Sequence, residues 1–157
     1  MKAPGFAGGW LLFPIHDART GKLQSLQFID CDGTKRVLPG GRAKYGCCPL
    51  RHSPESFKRA VPMCIGVAEG FATAATLAHA LGDSVAMFCA FSSTNLANVA
   101  IALHERYLDA ELTVYADNDL NEVGQRAAIK AATAVRGLIA IPPTPGADWN
   151  DYARAAA

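Results

Sequence analysis

From residue 61 onward the sequence repeats one alternation four times, a short apolar run followed by a longer helix-like segment. The runs VPMCIGVA (61–68), SVAMFCAF (84–91), ELTVYA (111–116) and LIAIPP (138–143) have the length and apolar content of buried strands. Between and after them lie GFATAATLAHALG (70–82), STNLANVAIALHERY (93–107), NEVGQRAAIKAATAVRG (121–137) and GADWNDYARAA (146–156). Capping residues open several of these segments and glycine closes two of them, as helices require. A βαβαβαβα order leaves little choice of architecture. It predicts an α/β fold with a parallel sheet of about four strands and helices packed on its faces.

Residues 1–60 carry a different pattern. LQSLQFI (23–29) alternates apolar and polar residues, and CDGTKRVL (31–38) follows it through Asp32-Gly33, a hairpin signal. PGGRAKYGCCPLRHSPES is broken by Pro and Gly and predicts loop or short edge strands. The periodicity changes near residue 60. The expected organisation is therefore a β-rich segment over 1–60 and an α/β domain over 61–157.

Charge divides at the same place. The first 60 residues hold ten Lys/Arg against four Asp/Glu, a net of +6, and the remainder five against ten, a net of −5. A basic front and an acidic back suit contact with a polyanion on one side and a cation on the other. With half its residues hydrophobic and 18% charged, the chain is expected to be globular. Five cysteines without a CxxC are expected to be reduced structural thiols in a cytoplasmic protein. The paired Cys47 and Cys48 lack the spacing of a zinc site. Neither a signal peptide nor a membrane span is expected. His16, His52, His79 and His104 have no metal-ligand spacing.

In open parallel sheets, ligands bind beyond the carboxyl ends of the strands. Carboxylates follow three of the four predicted strands: Glu69 after the first, Asp117 and Asp119 after the third, and Asp148 after the fourth. If the chain stays extended, the two aspartates face the same way, roughly 6.5–7 Å apart, and can share a divalent cation. Mg²⁺ suits so sparse a carboxylate set, because it keeps waters and takes phosphate oxygens. Each acid has a structural alternative. Asp119 or Asn121 can cap the third helix, and Asp148 the last, with Asp151 completing a capping box. Glu69 is favoured by a helix dipole regardless of function. The sequence lacks GxGxxG and P-loop motifs. Its acid pair follows the third strand, unlike the first-strand acids of haloacid-dehalogenase phosphatases and response-regulator receivers.

VAEGFATA, YADNDLNEVGQRAA and PGADWNDY together resemble the TOPRIM domain of primases, topoisomerases and some nucleases, and look most like primases of plasmids, phages and other mobile elements. The resemblance covers about residues 61–155. FPIHDARTGKLQSLQFIDCDGTKRVLPGG is similar to the β-rich segment that precedes this domain in such primases. The resemblance implies Mg²⁺-dependent nucleotidyl transfer, with Mn²⁺ as a substitute, making RNA primers from NTPs on single-stranded DNA. It implies that Glu69, Asp117 and Asp119 are catalytic, with Glu69 near the reacting phosphate. It places Asp117 and Asp119 on the metal, with Glu69 and Asp148 completing the acidic set. Many relatives have a lysine just before the last motif, where this chain has Ala147. Lys35, Arg36, Arg42 and Lys44 are candidates for template phosphates, or else belong to a solvated hairpin face. A helicase or other primase domains are expected partners in a longer protein. The same acids in a nuclease, or a nucleic-acid-binding module without turnover, are the rival expectations.

Overall fold

A computed structural model describes residues 5–50 and 62–155. Five strands come from the front half: β1 (Gly5–Ala7), β2 (Trp10–Asp17), β3 (Leu23–Ile29), β4 (Lys35–Val37) and β5 (Gly46–Leu50). Then follow β6 (Cys64–Ala68), α1 (Phe71–Leu81), β7 (Ala86–Cys89), α2 (Ser93–Arg106), β8 (Glu111–Tyr115), α3 (Val123–Ala134), β9 (Leu138–Ala140) and α4 (Trp149–Ala155). The strands join in one sheet of order β4-β3-β2-β5-β7-β6-β8-β9, with β1 beside β2. The anticipated parallel strands are β7, β6, β8 and β9. The boundary expected near residue 60, like His52, lies outside the described residues.

The Asp32-Gly33 hairpin joins β3 to β4. Gly33 adopts φ +80°, which a side chain disfavours, and the Asp30 carboxylate takes the N–H groups of Asp32 and Thr34. The segment read as loop or edge strand contains a wholly buried interior strand instead, β5. Its burial comes from two different neighbours. β2 pairs with Gly46 and Cys47, and β7 with Cys48, Pro49 and Leu50. Pro49 has no N–H to give, but it sits where the β2 ladder has already ended. A Cβ on Gly46 would lie 2.4 Å from Ile15, so close approach of β2 requires glycine there. Cys47 and Cys48 alternate to opposite faces, each into a different half of the core. Burial pushes both thiols up to about 12, so both are protonated at neutral pH.

Two cores flank the parallel strands. On one face α2 and α3 cover Ile65, Val67, Phe88 and Val114. On the other α1 packs over Ala68, Met87 and Cys89, with α4 against it. Gly66 on β6 faces the α1 side, where a Cβ would lie 2.1 Å from Met87 Sδ and 3.0 Å from Tyr115. Gly66→Ala is therefore expected to destabilise by about 1–3 kcal/mol through overpacking, read as a lower urea midpoint at unchanged slope. The last strand is shorter than LIAIPP suggested, because Pro142 and Pro143 cannot continue the ladder. No helix among the described residues is long and apolar enough to cross a membrane.

Candidate active site

β6 and β8 are neighbours in parallel register, with Ala68 opposite Tyr115. The next residues along each chain are Glu69 and Ala116, so Glu69 and Asp117 leave adjacent strand ends. Glu69, Tyr115, Asp117, Asp119 and Gly124 line one small cleft there. Gly124 lies in the first turn of α3. A Cβ built on it would sit 3.4 Å from Asp119 Oδ2 and 3.9 Å from Glu69 Oε2. The two carboxylates thus converge over a residue that offers no side chain to separate them.

Asp117 is half-buried and hemmed in by negative charge. Burial pushes its carboxyl above the usual range, and the charges of Asp148 and Asp119 push it further. The Thr73 hydroxyl, donating to Asp117 Oδ1 at 3.3 Å, and a backbone hydrogen bond from Trp149 oppose that rise without cancelling it. The site therefore holds more negative charge than its hydrogen bonds compensate, which favours a proton or a cation. Its donors are all carboxylate oxygens, a hard set that fits Mg²⁺. Among the described residues no three His, Cys, Asp or Glu side chains are gathered closely enough to hold an ion by themselves. An ion here would keep water or take phosphate oxygens in its remaining positions, as Mg²⁺ commonly does.

The capping alternatives are divided between the acids. For α3, Asn121 Oδ1 receives the Val123 N–H at 3.0 Å, leaving the Asp119 carboxylate directed at the cleft. For α4, Asp148 Oδ1 accepts the Asp151 N–H at 2.8 Å, and Asp151 Oδ2 receives the Asp148 N–H at 3.4 Å. Asp148 is thus a helix cap whose charge is felt at Asp117. Burial raises its carboxyl, but hydrogen bonds from Asp151 and Asn150 outweigh this and hold it below its ordinary value.

The supporting residues are ones that motif spacing does not single out. Asn118, between the two aspartates, has its N–H on Ala147 O at 3.0 Å, while its own carbonyl accepts the Gly146 N–H at 2.6 Å. Its side-chain amide donates to Pro142 O at 2.8 Å and accepts from Gln125 at 2.7 Å. Trp149 Nε1 donates to Ala116 O at 3.0 Å, and Asn150 is hydrogen-bonded to Thr76 of α1. The Cys89 thiol donates to the Glu69 carbonyl at 3.3 Å. The loop carrying Asp117 and Asp119 is thereby tied to the segment after β9, to α3 and to the DWND segment together. Ala147, at the position where many relatives carry a lysine, contributes its carbonyl.

The four basic candidates do not share one face. Lys35 lines a groove of about 260 Å³ whose far wall includes Glu69, Phe71 and Phe91. Arg36, its neighbour on β4, lies over Trp10. Lys44 sits 5.2 Å from the Tyr45 ring centre, and Arg42 is exposed in the loop before β5. His16 is buried with Nδ1 at 3.2 Å from Gly21 O, while His79 is exposed.

A family model described as a Toprim domain matches residues 64–157. A protein of Escherichia coli named DNA primase TraC is 38% identical over 136 residues, covering 82% of this chain and 12% of its own length. The chain thus spans about an eighth of that relative. Among solved structures, the primase fragment of the bacteriophage T7 primase-helicase protein superposes with a TM-score of 0.67 at 16% identity, covering 98% of this chain and 61% of that one. A DnaG primase catalytic domain bound to ssDNA gives 0.61 at 15% identity, covering 98% and 54%. At these identities the structural likeness establishes the fold.

Proposed function

This chain belongs to the Toprim domain family, and from that premise we propose that it is the catalytic part of a DNA primase, making RNA primers on single-stranded DNA. The observation that supports this most is the convergence of Glu69 and Asp119 over Gly124, beside a half-buried Asp117. Sequence relatives named DNA primase, and a fold neighbour described as bound to ssDNA, support the same reading.

Asp117 and Asp119 hold Mg²⁺, with Mn²⁺ as a substitute, and Glu69 completes the acidic edge. When bound, the ion neutralises charge on the phosphate oxygens of an incoming NTP. The remaining work belongs to the chain. The Thr73 hydroxyl and the Trp149 backbone N–H orient the Asp117 carboxylate at the cleft. Glu69 faces Asp119 and is placed to take the proton of the attacking 3′-hydroxyl. Lys35, across the groove from Glu69, meets phosphates of the template or nucleotide. Asp148 acts at one remove, by capping α4 and adding its charge at Asp117. Further primase domains or a helicase, supplied by a longer protein, are the partners this role requires.

The test is oligoribonucleotide synthesis from NTPs on single-stranded DNA with Mg²⁺, comparing the parent with Asp117→Asn. Metal-dependent product that disappears in the variant is the expected result. Degradation of the DNA strand instead would assign the same acids to a nuclease. Unchanged DNA binding with no product from either protein would make the chain a binding module.

A further inference from the structure

A further groove lies on the β2-β3-β4 ribbon, and none of the four candidate acids lines it. Trp10, Phe28, Arg36, Val37 and Pro39 line it, with a volume of about 380 Å³. Its position follows from strand register. Phe28 pairs with Leu12 on one side and Arg36 on the other, so these side chains share one face of the β2-β3-β4 ribbon, with Trp10 two residues before Leu12. Leu11, Ile29 and Lys35 occupy the intervening positions and face the opposite way, toward the groove that contains Glu69. β4 is the edge strand of the sheet, and its three residues are all exposed. Two consecutive cations therefore sit on the two faces of one thin edge.

The chemistry of this groove is specific. Trp10 and Phe28 pack edge to face, with ring centres 6.4 Å apart and planes at 89°. The Arg36 guanidinium lies 5.6 Å from the Trp10 ring centre. Among the described residues no acid lines the groove. Of the nearby turn acids, Asp30 is engaged with the N–H groups of Asp32 and Thr34. An apolar protein segment seated here would bury Arg36 without a counter-charge from the groove's own lining, which is strongly unfavourable. A single-stranded polynucleotide supplies both complements, a ring face for the indole and a phosphate for the guanidinium. A duplex offers its base edges rather than its ring faces, so the match is to unpaired bases. The net +6 of the first 60 residues favours the same polyanion.

We propose that Trp10, Phe28 and Arg36 form a base-stacking station for single-stranded nucleic acid on the ribbon face opposite the groove that Lys35 and Glu69 line. The strand passes over the β4 edge between Arg36 on this face and Lys35 on the other. The proposal rests on the reading of the chain as one that acts on nucleic acid, but binding here needs neither metal nor turnover.

The experiment measures binding of a labelled oligothymidylate and an abasic strand of equal length in EDTA, without NTPs. The parent should prefer the strand with bases. Trp10→Ala should lose roughly 5- to 100-fold for oligothymidylate and bind both strands alike, while Trp10→Phe keeps part of the preference. The base preference and its loss in Trp10→Ala should hold in EDTA even if the parent makes no primers with Mg²⁺, which separates this proposal from the catalytic one. A second readout is independent of Trp10 variants. In a Trp149→Phe protein Trp10 is the sole tryptophan, and oligothymidylate but not the abasic strand should quench it. Parent-like affinity in both Trp10→Ala and Arg36→Ala, or absence of quenching, overturns the proposal. So does loss of self-association in Trp10→Ala with oligonucleotide affinity intact, which would make the groove a protein contact.

Discussion

In metal-free buffer at neutral pH, Asp117→Asn melts above the parent protein, and on adding Mg²⁺ or Mn²⁺ only the parent gains stability. Asparagine keeps an oxygen for the Thr73 hydroxyl and removes the charge that Asp148 and Asp119 repel. Asp117 is half open to solvent, so the relieved repulsion is screened and on the order of 0.5–1 kcal/mol, a rise of roughly 1–4 °C. The pH dependence fixes the cause. The folded protein holds the Asp117 proton more tightly than the unfolded chain, whose reference value is 3.8. The associated stability is fully present below that value and is lost as pH rises through the folded one. The gap between variant and parent should therefore widen as pH rises from about 4 and then level off. Metal reverses the ranking, since a ligand at a hundred times its Kd adds about 2.7 kcal/mol to the form that binds it. If synthesis is the activity, the variant should lose it by on the order of 10²–10³-fold or more. A parent whose melting temperature does not respond to either cation would sink the metal assignment.

Asn118→Ala should be damaging although Asn118 is not itself an acid. The substitution deletes the donor to Pro142 O, a carbonyl on a fully buried residue, and the acceptor for Gln125. An orphaned buried carbonyl costs about 1–3 kcal/mol. Loosening of the loop matters more for turnover, because a displacement of about 1 Å at a reacting group can cost 10²-fold. The expected pattern is a moderately lower melting temperature together with weaker Mn²⁺ binding, read by paramagnetic relaxation of water. Asn118→Asp should be worse than alanine for stability, since a carboxylate would face the Pro142 carbonyl. Full metal affinity in a destabilised Asn118→Ala would show that Asn118 serves the fold alone.

Much of this was legible because it is periodic or local. Four apolar runs separated by helix-length segments announce a parallel sheet, and residues just past such runs must lie along one edge. The acids could be located on that basis without knowing any contact. What escaped is non-local. Gly46–Leu50 looks like loop because Gly and Pro flank and interrupt it, and its burial depends on β2 and β7, which lie far away in sequence. Thr73, Asn118 and Trp149 matter through partners 24 to 44 residues distant. The separation of Lys35 from Arg36 needed no contact at all, since neighbours on a strand alternate between faces. Net charge invites grouping them, and the pleat divides them.

The double pairing of β5 has a consequence for anyone dividing this protein into parts. The match to the family begins at Cys64, yet β7, inside the matched region, takes its outer neighbour from Cys48–Leu50. Expressed from residue 61 onward, the remaining chain would present β7 as a bare edge of four apolar, formerly buried residues. Such an edge recruits strands from other molecules. The stretch that the family model matches is thus shorter than the stretch needed to keep β7 covered.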